Sequence, residues 1–194
     1  MGSTVEALLV SAGVVALGEM GDKTQLLALL LAAKFKRPLP IILGILVATL
    51  ANHALAGAVG AWLAALAGPV VVRWVIGIAF IAMAAWVLVP DKADEGAAET
   101  RGRFGVFGTT LVAFFLAEMG DKTQIATVAL AARFDALAAV VVGTTLGMMI
   151  ANVPAVLLGD AVARRVPLRL VRGVAAAIFA ALGVLTLFNV GGVF

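Results

Sequence analysis

The chain has 194 residues, of which 63% are hydrophobic and 13% are charged, and its mean hydropathy is +1.15. Soluble domains average about 25% charged residues, so this composition excludes an ordinary soluble domain and predicts an integral membrane protein. The absence of cysteine excludes disulfides and thiolate metal sites, and the net charge of +3 does not indicate nucleic-acid binding, because the basic residues lie in short loops between apolar runs.

Six apolar segments follow one another along the chain, at residues 4–35, 39–66, 70–89, 104–134, 136–162 and 168–190. Each has at least the length of about 20 residues that a helix needs to cross a bilayer. The first residues lack the basic stretch of a signal peptide, so we expect them to begin the first helix. The one long polar stretch, residues 90–103, is predicted to link residues 1–89 to residues 104–194.

The two halves are copies of one another. Residues 19–25, Glu-Met-Gly-Asp-Lys-Thr-Gln, recur without change as residues 118–124, and at the same offset of 99 Gly44 matches Gly143. Such an internal repeat indicates a duplicated unit. Because each half has an odd number of segments, the second half enters the membrane from the opposite side. The predicted fold is therefore an all-α membrane protein of six transmembrane helices arranged as two inverted three-helix repeats.

The distribution of basic residues predicts the orientation. Two of the 14 lysines and arginines lie in the repeated motif, and ten lie in the loops after segments one, three and five: Lys34, Lys36, Arg37, Lys92, Arg101, Arg103, Arg164, Arg165, Arg169 and Arg172. The opposite side has only Arg73 and Arg133. Because cytoplasmic loops are enriched in Lys and Arg, we expect the central loop in the cytoplasm and both termini outside.

The motif lies in the middle of the two longest segments. As continuous helices these segments would measure about 48 Å, which exceeds the hydrocarbon thickness of about 30 Å. They must therefore tilt, extend beyond the bilayer or break, and the glycines of the motif make it the weakest point. Glu19 and Glu118 are then candidates for the bilayer midplane, where an ionisable residue costs ~2.5–3.5 kcal/mol on insertion scales and is functional by default.

Acidic residues in both motif copies predict a site for a hard divalent cation. Inverted repeats can bring the four carboxylates together, and carboxylate oxygens suit Ca²⁺, Mn²⁺ or Mg²⁺. The predicted ligands are Glu19, Asp22, Gln25, Glu118, Asp121 and Gln124, and the secondary candidates are Lys23, Thr24, Lys122, Thr123, Asn52 and Asn152. Four carboxylates and two lysines leave a charge of −2, which one divalent cation or two protons would neutralise.

Other interpretations of these residues stay open. Glu19–Lys23 and Glu118–Lys122 would serve only structure if they formed ion pairs within one helix, and the two asparagines would do so if they made hydrogen bonds between helices. The role of His53 is undecided, because the repeat places Val153 at its counterpart. Alternative functions are an ion channel, an exporter of another small cation and, less favoured, an intramembrane metal-dependent enzyme.

The paired motifs resemble the Glu-x-Gly-Asp-(Lys/Arg)-(Thr/Ser) signature of the GDT family of Ca²⁺/Mn²⁺:H⁺ antiporters, and the resemblance covers nearly the whole chain. It implies a secondary active transporter, not an enzyme, that exports Mn²⁺ and/or Ca²⁺ from the bacterial cytoplasm in exchange for protons. Its partners would be the metal ion, protons and the lipid of the inner membrane, with no cofactor and no nucleic acid. The resemblance leaves the oligomeric state open, and a homo-oligomer is allowed.

Overall fold

A computed structural model describes residues 3–89, 105–158 and 168–190. Within these ranges the regular structure is entirely helical. The described helices are α1 (Thr4–Glu19), α2 (Lys23–Phe35), α3 (Pro38–Leu66), α4 (Pro69–Val87), α5 (Gly105–Glu118), α6 (Lys122–Arg133), α7 (Leu137–Leu158) and α8 (Leu168–Leu187). The predicted linker 90–103, the end of the fifth segment and the basic residues Lys92, Arg101, Arg103, Arg164 and Arg165 lie outside the described residues.

Four of these helices, α3, α4, α7 and α8, are long and apolar enough to cross a membrane. The helices α1 and α2 together form a fifth candidate, a single apolar span bent by 71°, and α5 is a shorter apolar helix. The described part of the chain is thus an all-helical structure with four to five candidate spans, as the composition predicts for a membrane protein.

Both predicted long segments break at the motif. α1 ends at Glu19 and α5 at Glu118, and in each case the next helix begins four residues later. Gly21 has a φ of 81° and Gly120 a φ of 75°, a left-handed conformation that glycine adopts without steric cost. The prediction that these segments can break at the motif because of their excess length is therefore confirmed. A glycine at the same place in each repeat permits the break.

Hydrogen bonds close each break. The amide of Asp22 donates to the carbonyl of Glu19 at 3.0 Å, and in the second copy the amide of Asp121 donates to the carbonyl of Glu118 at 3.1 Å. The two aspartates then precede α2 and α6 in extended backbone conformation. Non-helical backbone at membrane depth is tolerated only where protein or a water-filled cavity surrounds it, so the packing around these breaks positions the candidate site.

The second segment of each half packs on the first segment of the other half. A Cβ on Gly44 in α3 would lie 2.9 Å from the carbonyl oxygen of Phe107 in α5. A Cβ on Gly143 in α7 would lie 2.5 Å from the carbonyl oxygen of Leu8 in α1. The repeat offset of 99 pairs Gly44 with Gly143 and Leu8 with Phe107. The two contacts are therefore related by the internal symmetry.

The third segments of the two halves, α4 and α8, pack on each other. A Cβ on Gly77 would lie 3.3 Å from the carbonyl oxygen of Gly183, and a Cβ on Gly183 would lie 3.0 Å from that of Gly77. The rings of Phe80 and Phe179 are neighbours, with centroids 6.2 Å apart. Small residues at such contacts let helix backbones approach closely, which is how helices associate in lipid.

We predict that Gly143→Ala destabilises the fold, because the added Cβ meets a helix backbone that cannot rotate away. The expected loss is about 1–3 kcal/mol, as for other overpacked sites, read as a lower midpoint of thermal unfolding in detergent. Gly13→Ala is the matched control, since a Cβ at Gly13 meets no atom within 4 Å. Equal midpoints for the Gly143 variant and the wild type would contradict this packing.

Candidate metal centre

Two glutamates, one at the end of α1 and one at the end of α5, are completely buried: Glu19 and Glu118 are both 0% exposed. The hydroxyl of Thr24 donates to Glu19 Oε2 at 2.5 Å, and the hydroxyl of Thr123 donates to Glu118 Oε2 at 2.9 Å. Among the residues that the structure describes, the other oxygen of each glutamate, Oε1, has no hydrogen-bond partner. A buried carboxylate oxygen without a partner is costly, so these two atoms can accept a cation or a proton.

The two aspartates of the motifs are joined to lysines of the opposite repeat. Lys23 Nζ lies 2.9 Å from Asp121 Oδ1, and Lys122 forms an ion pair with Asp22. The interpretation of Glu19–Lys23 and Glu118–Lys122 as pairs within a helix is therefore wrong. The chain unwinds between each glutamate and its lysine, which removes the one-turn spacing that such pairs need.

Carboxylates from both halves meet at one place. One oxygen from each of Glu19, Asp22 and Asp121 lies within 4.8 Å of the other two, and all three residues are buried. We call this set the carboxylate triad. The convergence expected from inverted repeats is found for these three side chains, while Glu118 lies outside the triad. Three carboxylate oxygens at one point form a hard donor set, the kind that Mg²⁺, Ca²⁺ and Mn²⁺ prefer.

The motif glutamines hold the breaks. Gln25 Oε1 accepts a hydrogen bond from the amide of Gly21 at 2.9 Å, and Gln124 Oε1 accepts one from the amide of Gly120 at 2.8 Å. Gln25 also donates to the carbonyl of Ala151 in α7 at 2.9 Å. Because a helix break separates each glutamine from the glutamate of its motif, the two side chains do not lie on one continuous helical face. Their role as metal ligands stays a prediction.

The two asparagines have different partners. Asn52 in α3 donates to the carbonyl of Phe115 in α5 at 3.0 Å, which is the bond between helices that we considered. Asn152 in α7 donates within its own helix, to the carbonyl of Met148 at 3.1 Å. Within the described residues, Asn152 Oδ1 and both ring nitrogens of His53 are buried without a hydrogen-bond partner. Metal binding by the two asparagines stays a prediction.

One residue near the site was missed in the sequence. Arg172 was counted among the loop residues after the fifth segment, but it lies inside α8 and donates from Nη2 to the carbonyl of Gly21 at 2.8 Å. The sequence signal that could have identified it is the repeat offset of 99, which pairs Arg172 with Arg73.

Comparisons with known proteins agree with the motif. The family described as "Divalent cation/proton antiporter GDT1" matches residues 7–95 and 106–192. A Vibrio cholerae serotype O1 protein described as "Putative manganese exporter" is 50% identical over 186 residues, which cover 95% of this chain and 92% of that protein. No solved structure matches the chain. The family and the relative are transporters and not enzymes, and the resemblance of the two motifs is confirmed: the chain belongs to the GDT1 family of divalent cation/proton antiporters.

Proposed function

We propose that this protein exports divalent cations, Mn²⁺ and/or Ca²⁺, across the bacterial inner membrane in exchange for protons. The observation that carries the proposal is the carboxylate triad, which is buried and draws its members from both halves of the chain. The name of the Vibrio cholerae relative supports Mn²⁺ as the exported ion. The metal ion is the cargo of the protein and not a resident cofactor.

The cation is held by Glu19, Asp22 and Asp121, and Glu118 supplies the fourth carboxylate. Support comes from the free Oε1 atoms of the two glutamates and from their complete burial. With two lysines paired to the two aspartates, the four carboxylates keep an excess charge of −2. One divalent cation or two protons remove that excess, and the low-dielectric interior disfavours leaving it uncompensated. Mutually exclusive occupancy by metal and protons couples the two fluxes.

The chain crosses the membrane six times, as two inverted repeats at residues 1–89 and 104–194. The linker 90–103 lies in the cytoplasm and both termini lie outside. Three observations support the arrangement as two repeats: the two motif breaks have the same glycine conformation, the Gly44 and Gly143 contacts are related by the repeat offset, and α5 and α6 flank the second break as α1 and α2 flank the first. The distribution of Lys and Arg supports the orientation. Inverted repeats with ion sites at broken helices are a common plan of secondary transporters.

In proteoliposomes with an imposed pH gradient, we predict that the wild type exchanges Mn²⁺ or Ca²⁺ for protons. Glu19→Gln and Glu118→Gln should each abolish exchange, because the neutral amide removes one unit of the charge that metal and protons share. Glu6→Gln is the control, since Glu6 is a glutamate of α1 whose side chain is exposed. Full activity in both variants would contradict the site, and a wild type inert towards Mn²⁺, Ca²⁺ and Mg²⁺ would contradict the function.

Metal binding by itself can be measured as thermal stabilisation in detergent. Mn²⁺ at 100 times its dissociation constant should stabilise the wild type by about 2.7 kcal/mol, and Asp121→Asn should lose most of that effect. Because carboxylates bind the metal only when deprotonated, the stabilisation should weaken as the pH falls. Stabilisation that persists in the Asp121 variant, or that strengthens at low pH, would rule out the carboxylate triad as the binding site.

A further inference from the structure

The guanidinium of Arg172 contacts the unwound segment of the first repeat. Its Nη2 donates to the carbonyl oxygen of Gly21 at 2.8 Å, and Gly21 is the left-handed residue of that break. A buried backbone carbonyl outside a helix needs a hydrogen-bond donor from elsewhere in the protein. Arg172 supplies a charged donor to the backbone of the break, two residues after α1 ends and one residue before Asp22 of the carboxylate triad.

Packing of α8 along α1 places Arg172 at this level. The ring of Phe179 lies 3.8 Å from the position of a Cβ on Gly18, and Ala175 and Phe179 belong to the same buried cluster as Val14 of α1. Residues 172, 175 and 179 recur at the spacing of one helical face. The apolar contacts between α8 and α1 therefore hold the helix that carries Arg172 beside the break.

The first repeat also carries an arginine at the equivalent position. The offset of 99 that relates the two motifs and pairs Gly44 with Gly143 also pairs Arg172 with Arg73 and Phe179 with Phe80. The rings of Phe80 and Phe179 are neighbours, which supports this correspondence. Among the described residues, Arg73 Nε is buried without a hydrogen-bond partner, whereas Arg172 contacts the break of the opposite repeat.

We propose that Arg172 is a positioning residue: it holds residues 20–22 in the conformation that directs Asp22 into the carboxylate triad. Its effect on transport rests on the proposed function.

Thiol labelling tests the positioning role without any transport assay, because the chain has no cysteine of its own. Met20→Cys and Met119→Cys place one thiol in each break, and each is combined with Arg172→Met. We expect Arg172→Met to raise the labelling rate at position 20 by about tenfold and to leave the rate at position 119 unchanged. Tenfold is the order of effect of losing a hydrogen bond from a charged donor. An unchanged rate at position 20, or an equal rise at both positions, would overturn the proposal.

Transport kinetics supply the second readout. In proteoliposomes, Arg172→Met should raise the KM for Mn²⁺ by about tenfold, and Arg172→Lys should recover part of the loss because it keeps a charged donor. Arg169→Met, three residues away and exposed, should match the wild type. If the wild type exchanges and Arg172→Met has the same KM, the positioning role is wrong. If the wild type does not exchange at all, the proposed function is wrong. The thiol-labelling result then tests the positioning role of Arg172 independently.

Discussion

Polar groups buried at the two helix breaks need partners inside the protein, because hydrocarbon offers neither water nor counterions. The backbone amides of the two glycines are satisfied by glutamine side chains of the same repeat. The aspartates cannot be satisfied in that way, and each pairs with a lysine of the opposite repeat. The need to compensate charge therefore ties the two halves together at the one place where both of them unwind.

Two classes of carboxylate follow from this constraint. Asp22 and Asp121 have positive partners in Lys122 and Lys23, which compensate their charges in this structure. Each motif glutamate is held by a threonine through one oxygen, and its other oxygen lacks a protein partner among the described residues. In the proposed exchange cycle the glutamates carry the variable charge, and the lysine–aspartate pairs keep the site assembled while metal and protons replace one another.

Close helix packing supports this electrostatic arrangement. In lipid the hydrophobic effect does not drive helices together, so association depends on van der Waals contact and on hydrogen bonds between helices. Gly44 and Gly143 bring α3 against α5 and α7 against α1 at equivalent positions. Both contacts join a helix of one half to a helix of the other. Asn52 also joins the two halves, because it donates a hydrogen bond from α3 to a carbonyl of α5.

The membrane class could be predicted from composition, and the duplication from the identity of two stretches of sequence. The break of the long segments could be predicted because their length exceeds the bilayer thickness. The meeting of acidic residues from both halves followed from inverted symmetry. Which carboxylates meet, which lysine faces which aspartate and what the glutamines bind were decided by the tertiary structure. The direction of the chain after each break depends on the left-handed glycine, on the extended aspartate that follows it and on the helices packed around them. Arg172 reaches its partner across 151 positions, a distance over which a local pattern carries no information.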